Sequence, residues 1–285
     1  MKKILLGAML LTGTSLFAQD SAKTETPKPN PFSFSGYVEA FYQYDFNKPT
    51  DNNRPGFIYS HNRHNEFNLN LGFLKGSYNA ERVRANLAIA AGTYMNANYA
   101  AETGVLKNVY EANAGLKISK KKNLWIDAGI FSSHIGFESA VSKDCWTLTR
   151  SILADNSPYF ESGAKLTYTS DNNKWLVSGL VLNGWQRIKR VDANSLMSYG
   201  TQLQYKPNSN ITLNYSTFIG TDKPDSARLW RYFHNVYGVI NVTGKFGITA
   251  GFDIGSEQKT KGSNDFNTWY SPVLILKYAV TTKLA

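Results

Sequence analysis

The residues that come nearest to a hydrolytic site are a histidine and two serines. His134 follows Ser132 and Ser133, and a histidine beside a serine can act as the base that activates a hydroxyl nucleophile. Consecutive residues on a strand point to opposite faces, however, and no motif supplies an orienting third group. A hydrolase is therefore the weakest interpretation, and we assign no catalytic residue and expect no enzymatic activity.

Two further groups are candidates for metal binding and thiol chemistry. His61 and His64 lie close together in one polar segment, but two imidazoles lack the additional ligands that a zinc site requires. The single cysteine, Cys145, cannot form an intramolecular disulfide, and we interpret it as a small packing residue. The sequence predicts no metal site and no cofactor.

Charged residues of both signs are concentrated in the segment from Ser132 to Glu161. Carboxylates and cations that line a narrow passage would set up a transverse field and select solutes by size and charge. The alternative is a surface segment whose charges are merely solvated, and the sequence leaves both open. The residues of this hypothetical pore constriction are Glu138, Lys143, Asp144, Arg150, Asp155 and Glu161.

The elements that position these residues are β-strands, because apolar and polar residues alternate along the whole chain after Phe34. In Phe67 to Tyr78 we place Phe67, Leu69, Leu71 and Phe73 on one face. The predicted strands run at about Phe34 to Phe46, Phe67 to Tyr78, Val83 to Ala91, Val109 to Ser119, Leu124 to Phe131, Ser162 to Thr169, Lys174 to Gly184, Tyr199 to Lys206, Ile211 to Gly220, Tyr232 to Val242, Phe246 to Ile254 and Thr268 to Val280.

The connections between these strands alternate in length. Long stretches such as Asn47 to Asn65 and Ser132 to Glu161 alternate with short ones such as Asn79 to Arg82. Strands of about ten residues can cross a bilayer when tilted, and short turns at one end with long loops at the other are typical of outer-membrane barrels. The predicted fold is all-β, a transmembrane up-and-down antiparallel β-barrel of at least 12 strands.

The alternation also assigns one face of the sheet to lipid and the other to a water-filled lumen. Leu87 and Leu213 belong to the lipid face, whereas Asn86 and Asn214 belong to the lumen. For any single polar residue on the inner face, a solvated or paired side chain is the simpler interpretation than a dedicated binding residue. The lumen-facing polar residues are Glu39, Arg84, Glu111, Lys117, Asp127, Lys165 and Asp253, among others.

Composition excludes several other classes of protein. An apolar fraction of 42% is too high for a disordered chain. A mean hydropathy of −0.35 and the lack of long apolar stretches after the first residues argue against a helical membrane protein. The formal net charge is +10, but the basic residues are dispersed, so we expect no nucleic-acid partner.

The chain has three predicted parts. Residues 1–18, with Lys2 and Lys3 before an apolar stretch and Ala18 at the cleavage position, form a signal peptide. Residues 19–32 form a flexible periplasmic leader, and residues 33–285 form the barrel. The last residues, 281–285, lack the terminal aromatic residue that the outer-membrane assembly machinery recognises, so we expect further strands to follow them.

Four segments resemble the OmpL-like putative beta-barrel porin family: GYVEAFYQYDF, IFSSHIGFESAV, PYFESGAKLTYT and VLNGWQR. The resemblance extends from Phe34 to the end, and its most specific parts are Asn183 to Trp185 and Pro158 to Gly163. It implies an outer-membrane barrel with channel activity, but it carries over no catalytic or ligand residue.

The sequence therefore favours a porin-like channel in the outer membrane of a Gram-negative bacterium, through which small hydrophilic solutes diffuse passively. The alternative is a structural or adhesive barrel without transport. The expected partners are outer-membrane lipid and lipopolysaccharide, the solutes and the assembly machinery, and a homo-oligomer is left open.

Overall fold

A computed structural model describes residues 30–281. The predicted signal peptide, the leader up to residue 29 and the last four residues lie outside this range. The strands are β1 (Phe32–Tyr42), β2 (Phe67–Asn79), β3 (Val83–Ala91), β4 (Val109–Lys117), β5 (Asn123–Ser132), β6 (Phe160–Thr169), β7 (Trp175–Leu182), β8 (Ser198–Asn208), β9 (Ile211–Gly220), β10 (Arg231–Asn241), β11 (Phe246–Gln258) and β12 (Phe266–Tyr278). The loops add two short α-helices, α1 (Thr93–Asn98) and α2 (Ile152–Asp155), and three 3-10 turns, at Gly104–Asn108, Ser142–Asp144 and Asp225–Ala227.

The strands form one antiparallel sheet in which each strand pairs with its neighbours in the sequence, from β1 to β12. Short turns alternate with longer loops along the chain, and the prediction of twelve up-and-down strands is confirmed. Within residues 30–281, no pairing joins β1 to β12, so the sheet is open between them. No helix in the described range has the length and apolar character needed to span a membrane.

The two faces of the sheet differ in chemistry. One face presents exposed aliphatic and aromatic side chains, such as Val38, Leu87 and Leu213. The other face, which we call the inner face, carries the loop between β5 and β6 and most of the polar strand residues. Leu87 and Leu213 are 56% and 44% exposed, whereas the adjacent Asn214 is 3% exposed. The alternation of strand residues therefore separates an apolar outer surface from a polar inner one.

Strand β2 departs from the predicted facing, and the prediction for Leu71 and Phe73 is wrong. The pairing with β1 skips Asn70, which forms a β-bulge opposite Glu39 and Ala40. A bulge inserts one residue and reverses the facing beyond it. Leu71 is consequently fully buried in the interior, and Leu74 takes the outward position instead.

Strand β1 also ends earlier than predicted, at Tyr42 instead of Phe46. The backbone N–H of Asp45 donates to His64 Nδ1 at 2.7 Å, and the N–H of Asn65 donates to the Gln43 carbonyl at 2.7 Å. The chain after Tyr42 therefore hydrogen-bonds within its own loop, residues 43–66, and this ends the regular strand.

Two apolar clusters fill the interior at the long-loop end of the strands. One brings α1 against β2, β3 and the β5–β6 loop, with Tyr94, Met95 and Tyr99 at its centre. The other packs Phe131, Leu182, Phe218 and Phe233 together. Helix α1 is preceded by its N-cap residue Gly92, whose φ of 128° and close approach to the Asn70 carbonyl leave no room for a side chain. The loops are thereby fixed to the inner face.

Candidate functional site

The candidate site is built around the β5–β6 loop, residues 133–159, which lies against the inner face. Its first residues contact β9 and β10. Ser216 Oγ donates to the His134 carbonyl at 2.7 Å, and the Gly136 N–H donates to Asn235 Oδ1 at 3.2 Å. His134 Nε2 lies 2.8 Å from the Thr217 carbonyl oxygen. After β5, the loop therefore crosses the inner face and attaches to β9 and β10.

The middle of this loop reaches both edges of the sheet, at β1 and at β11 and β12. Ser142 Oγ donates to Glu39 Oε1 on β1 at 2.5 Å. Trp146 lies against Gly247 on β11, where a side chain would overlap its ring, and Lys277 Nζ on β12 lies 5.4 Å from the ring centroid. Because Gly247 follows directly on the β10–β11 turn, the loop extends from the long-loop end of the strands to their short-turn end.

Arg150, a predicted constriction residue, holds this loop together. Its Nε donates to the Ser139 carbonyl at 2.6 Å, and its Nη2 donates to Ser142 Oγ at 2.9 Å and to the Ala140 carbonyl at 3.3 Å. The residue is only 8% exposed. Guanidinium groups carry several donors in a rigid fork, so Arg150 ties the two ends of the segment 139–150 to each other.

Two more predicted constriction residues are bound within the loops. Glu138 accepts hydrogen bonds from the backbone N–H and the hydroxyl of Ser151. Asp155 accepts from the Tyr59 N–H at 3.2 Å and from the Tyr159 hydroxyl at 3.1 Å, and burial raises the pKa of its carboxyl group. The contact between Asp155 and Tyr59 connects the β5–β6 loop with the β1–β2 loop, and the others stabilise the β5–β6 loop internally.

The remaining constriction residues differ sharply in exposure. Lys143 and Asp144 have exposed side chains whose charged atoms are 3.7 Å apart. Glu161, at the start of β6, is fully buried, and neither carboxylate oxygen makes a hydrogen bond of ordinary geometry. Three of the six predicted constriction residues thus lie inside the loop: Glu138, Arg150 and Asp155. Lys143 and Asp144 lie at its surface, and Glu161 is buried in β6.

Five charged residues on the inner face of β2 to β6 form what we call the charged wall: Lys75 and the predicted lumen residues Arg84, Glu111, Asp127 and Lys165. Arg84 Nε and Nη2 donate to the two oxygens of Asp127 at 2.7 and 2.5 Å. Lys75 Nζ lies 2.5 Å from Glu111. Asp127 is paired in register with Lys165, and Lys117 shares the inward facing of Glu111.

The inner face of β8 to β11 carries amides and hydroxyls instead, and we call it the amide wall: Gln202, Asn214, Ser216, Asn235 and Asp253. Gln202 donates to Asn214 at 2.9 Å, and Asn214 donates to Ser216 Oγ at 2.9 Å. Asn235 Nδ2 donates to Asp253 Oδ1 at 2.5 Å. On β1, Glu39 accepts from the Tyr37 hydroxyl and lies 2.5 Å from His61 Nε2, and it thereby binds the β1–β2 loop to the inner face.

The residues considered for catalysis and metal binding have other contacts. Among the described residues, no hydrogen bond joins His134 to Ser132 or Ser133, and Ser133 Oγ accepts from the Ile135 N–H. His61 contacts Glu39, whereas His64 accepts from the backbone of Asp45. No group of three potential metal ligands is found within residues 30–281. His61 and His134 therefore fix loops to strands, whereas His64 stabilises the β1–β2 loop internally.

Sequence reasoning missed several residues that the structure brings to the inner face. Lys75 was not predicted to face inward, because the bulge at Asn70 reverses β2; the adjacent apolar pair Phe73 and Leu74 is the signal that marked the break. Arg231 and Trp269 line a partly open cavity with Trp185, and nothing in their local sequence distinguishes them from other strand residues.

Comparison with known protein families gives a match to the chain. Residues 31–285 match a family model described as "Putative beta-barrel porin-2, OmpL-like". The search of curated proteins found no match. The match covers all twelve strands and both walls, so it applies to the arrangement described above as a whole.

Proposed function

Because the chain belongs to the OmpL-like beta-barrel porin-2 family, we propose that it is a channel of the outer membrane of a Gram-negative bacterium through which small hydrophilic solutes diffuse passively. The observation that carries the proposal is the polar lining that the charged wall and the amide wall give to the inner face. Its apolar outer surface would contact lipid and lipopolysaccharide.

The β5–β6 loop would set the size and charge limits of the channel. A closed barrel of at least these twelve strands would enclose more space than its own side chains can fill, since about eight strands already suffice for that. The loop occupies this space, with Ser142 bound to β1 and Trp146 on β11. Solutes would pass between the loop and the walls.

A structural barrel without transport is the second candidate. It is favoured by the reach of the same loop to the short-turn end of the strands and by the two apolar clusters at the long-loop end. In this case the loop would be a permanent plug, and activity would lie in the exposed loops.

Single-channel conductance of the full-length protein in planar bilayers tests the two candidates. For a channel, deletion of Ser139 to Asn156 raises conductance because the narrowing segment is removed. The parent protein should also be recovered in the outer membrane and migrate differently before and after heating. Absence of conductance in the parent, with correct folding, would favour the structural barrel.

The deletion also removes buried residues such as Val141 and Leu153, so a milder variant is needed. Trp146→Ala removes the ring that contacts β11 and β12 and should increase fluctuations of the open current. Leu148→Ala, at an exposed loop position, is the matched control and should leave the current unchanged.

A further inference from the structure

A partly open cavity of about 540 Å³ lies near the long-loop end of β10 to β12. Leu153 of α2 and Phe57 of the β1–β2 loop cover it. Cavities of roughly 300–1,000 Å³ that combine apolar rings with a few polar groups are the usual shape of small-molecule sites. Its lining combines aromatic rings with charged groups, namely Trp185, Arg231, Phe233, Asp253 and Trp269.

The aromatic rings of this cavity are held in place before any ligand binds. Trp185 packs edge-on against Phe218 and Phe233, with ring centroids 5.0 and 4.8 Å apart, respectively. The Phe233 and Trp269 centroids are 6.5 Å apart. A side chain at Gly255 would overlap the Trp269 ring and come within 2.9 Å of Phe233. The glycine thus lets the rings lie close to the strand.

The two charged groups of the cavity, Arg231 and Asp253, differ in how far their hydrogen-bonding capacity is already used within the protein. Arg231 donates to Glu257 at 2.8 Å and lies 3.3 Å from Asp222, so its charge is compensated within the protein. Asp253 receives one hydrogen bond, from Asn235 to Oδ1, and its Oδ2 makes none with the described residues. The cavity therefore presents an acceptor and a compensated cation beside flat apolar rings.

From this arrangement we infer that the cavity binds a neutral carbohydrate ring, a step that rests on the proposed channel function and names its solute class. The C–H face of a pyranose packs on an aromatic ring, while hydroxyl groups donate to a carboxylate and accept from a guanidinium. An anion gains little from Arg231, since Glu257 and Asp222 already compensate it. A purely apolar ligand would leave Asp253 and Arg231 desolvated without partners.

Current blockade by maltotriose in planar bilayers, compared with a polyethylene glycol of the same hydrodynamic size, tests this inference. The polymer matches the sugar in bulk but has no ring to stack. In the parent protein we expect maltotriose to interrupt the current at concentrations where the polymer does not. Trp269→Ala should weaken the blockade about tenfold, the loss of one stacking contact, without lowering the open conductance.

Two further variants keep the test independent of folding. Gly255→Ala should weaken the blockade by pushing the Trp269 ring into the cavity. Trp175→Ala is the matched control, because Trp175 stacks on Tyr205 away from this cavity, and it should block like the parent. Heat-modifiable migration confirms that each variant has folded.

The outcomes separate the solute class from channel activity. Conductance with equal effects of maltotriose and polymer, or blockade unchanged in Trp269→Ala, would overturn the inference and leave the channel proposal intact. If the parent does not conduct, tryptophan fluorescence titration with maltotriose in detergent micelles decides: saturable quenching that Trp269→Ala abolishes supports the site in a non-conducting barrel. No quenching would overturn the site as well.

Discussion

The charged wall and the amide wall occupy equivalent positions on opposite parts of one sheet, yet they are built by different interactions. On the charged wall, Arg84 and Asp127 form a two-point ion pair beside Lys165. On the amide wall, Gln202, Asn214 and Ser216 form a chain of neutral hydrogen bonds. Both solutions satisfy inward polar groups, but only the first depends on pairing charges.

This difference has consequences for stability and for permeation. The charged wall contains three cations and two carboxylates, whereas the amide wall contains one carboxylate, Asp253. A field would therefore run across the interior between the walls, with its positive side on the charged wall. Loss of one charge should disturb the charged wall far more than loss of one hydrogen bond disturbs the amide wall.

The sharpest test replaces one carboxylate in each wall by its isosteric amide. Asp127→Asn removes the partner of Arg84 and leaves Lys165 beside it, so we expect a loss of about 3–5 kcal/mol in the free energy of unfolding. Asp253→Asn keeps an oxygen that can accept from Asn235 and should cost less than about 1 kcal/mol. Denaturant unfolding of the protein in detergent micelles measures both values, and similar losses would show that the walls do not differ.

A charge placed on the outer face should destabilise the protein equally behind both walls, whereas a charge placed on the inner face should be tolerated. Leu87→Arg and Leu213→Arg each place a charge toward lipid and should destabilise the protein by about 2–4 kcal/mol near the midplane. Asn86→Arg, on the same strand as Arg84, should be tolerated because Asn86 is only partly buried. Urea titration of folding into liposomes provides the measurement, and a larger loss at Asn86 than at Leu87 would reverse the assigned facing.

The architecture could be read from the sequence because its signal is periodic and local. Alternation of side chains fixes strand facing, and loop lengths fix the up-and-down order, so twelve antiparallel strands were predictable. The facing of β2 was predicted wrongly, because the bulge at Asn70 reverses it; Asn70 Oδ1 also accepts from the His61 N–H of the β1–β2 loop at 2.9 Å.

The candidate site was less predictable because charge alone does not reveal contact partners. Lys143 and Arg150 look equivalent in the sequence, but Arg150 is bonded to the carbonyls of Ser139 and Ala140, whereas Lys143 is exposed. The cavity around Trp185 and Trp269 joins residues from distant parts of the chain, and no local pattern encodes such a meeting.

Acid should weaken the attachment of the β5–β6 loop to the amide wall. Burial lowers the pKa of His134 from its ordinary 6.5 to about 4. The unfolded chain therefore takes up a proton at a higher pH than the folded protein, and stability present above pH 6.5 is lost as the pH falls toward 4. The free energy of unfolding should therefore be lower by about 2 kcal/mol at pH 5 through this histidine.

The contribution of this single histidine can be isolated by substitution. Burial raises the pKa of Asp155 and Asp222, which acts in the opposite direction as the pH falls. We therefore compare His134→Gln with the parent by denaturant unfolding at pH 7 and pH 5. The variant should lose less stability on acidification than the parent; an identical loss in both would mean that His134 does not report on the attachment.

The smallest expected effect concerns the charges of the loop that lies between the walls. Lys143 is exposed, and salt screens exposed charges beyond about 8 Å at physiological ionic strength. Lys143→Gln should therefore shift the reversal potential only slightly toward cation selectivity, and more so in dilute salt. Arg150→Gln should not shift it, because this guanidinium is buried against loop carbonyls, but it should destabilise the loop by about 1–3 kcal/mol. Equal shifts of the reversal potential in both variants would show that Arg150 also faces the path of the ions, and the field between the walls would then have to include the loop's interior.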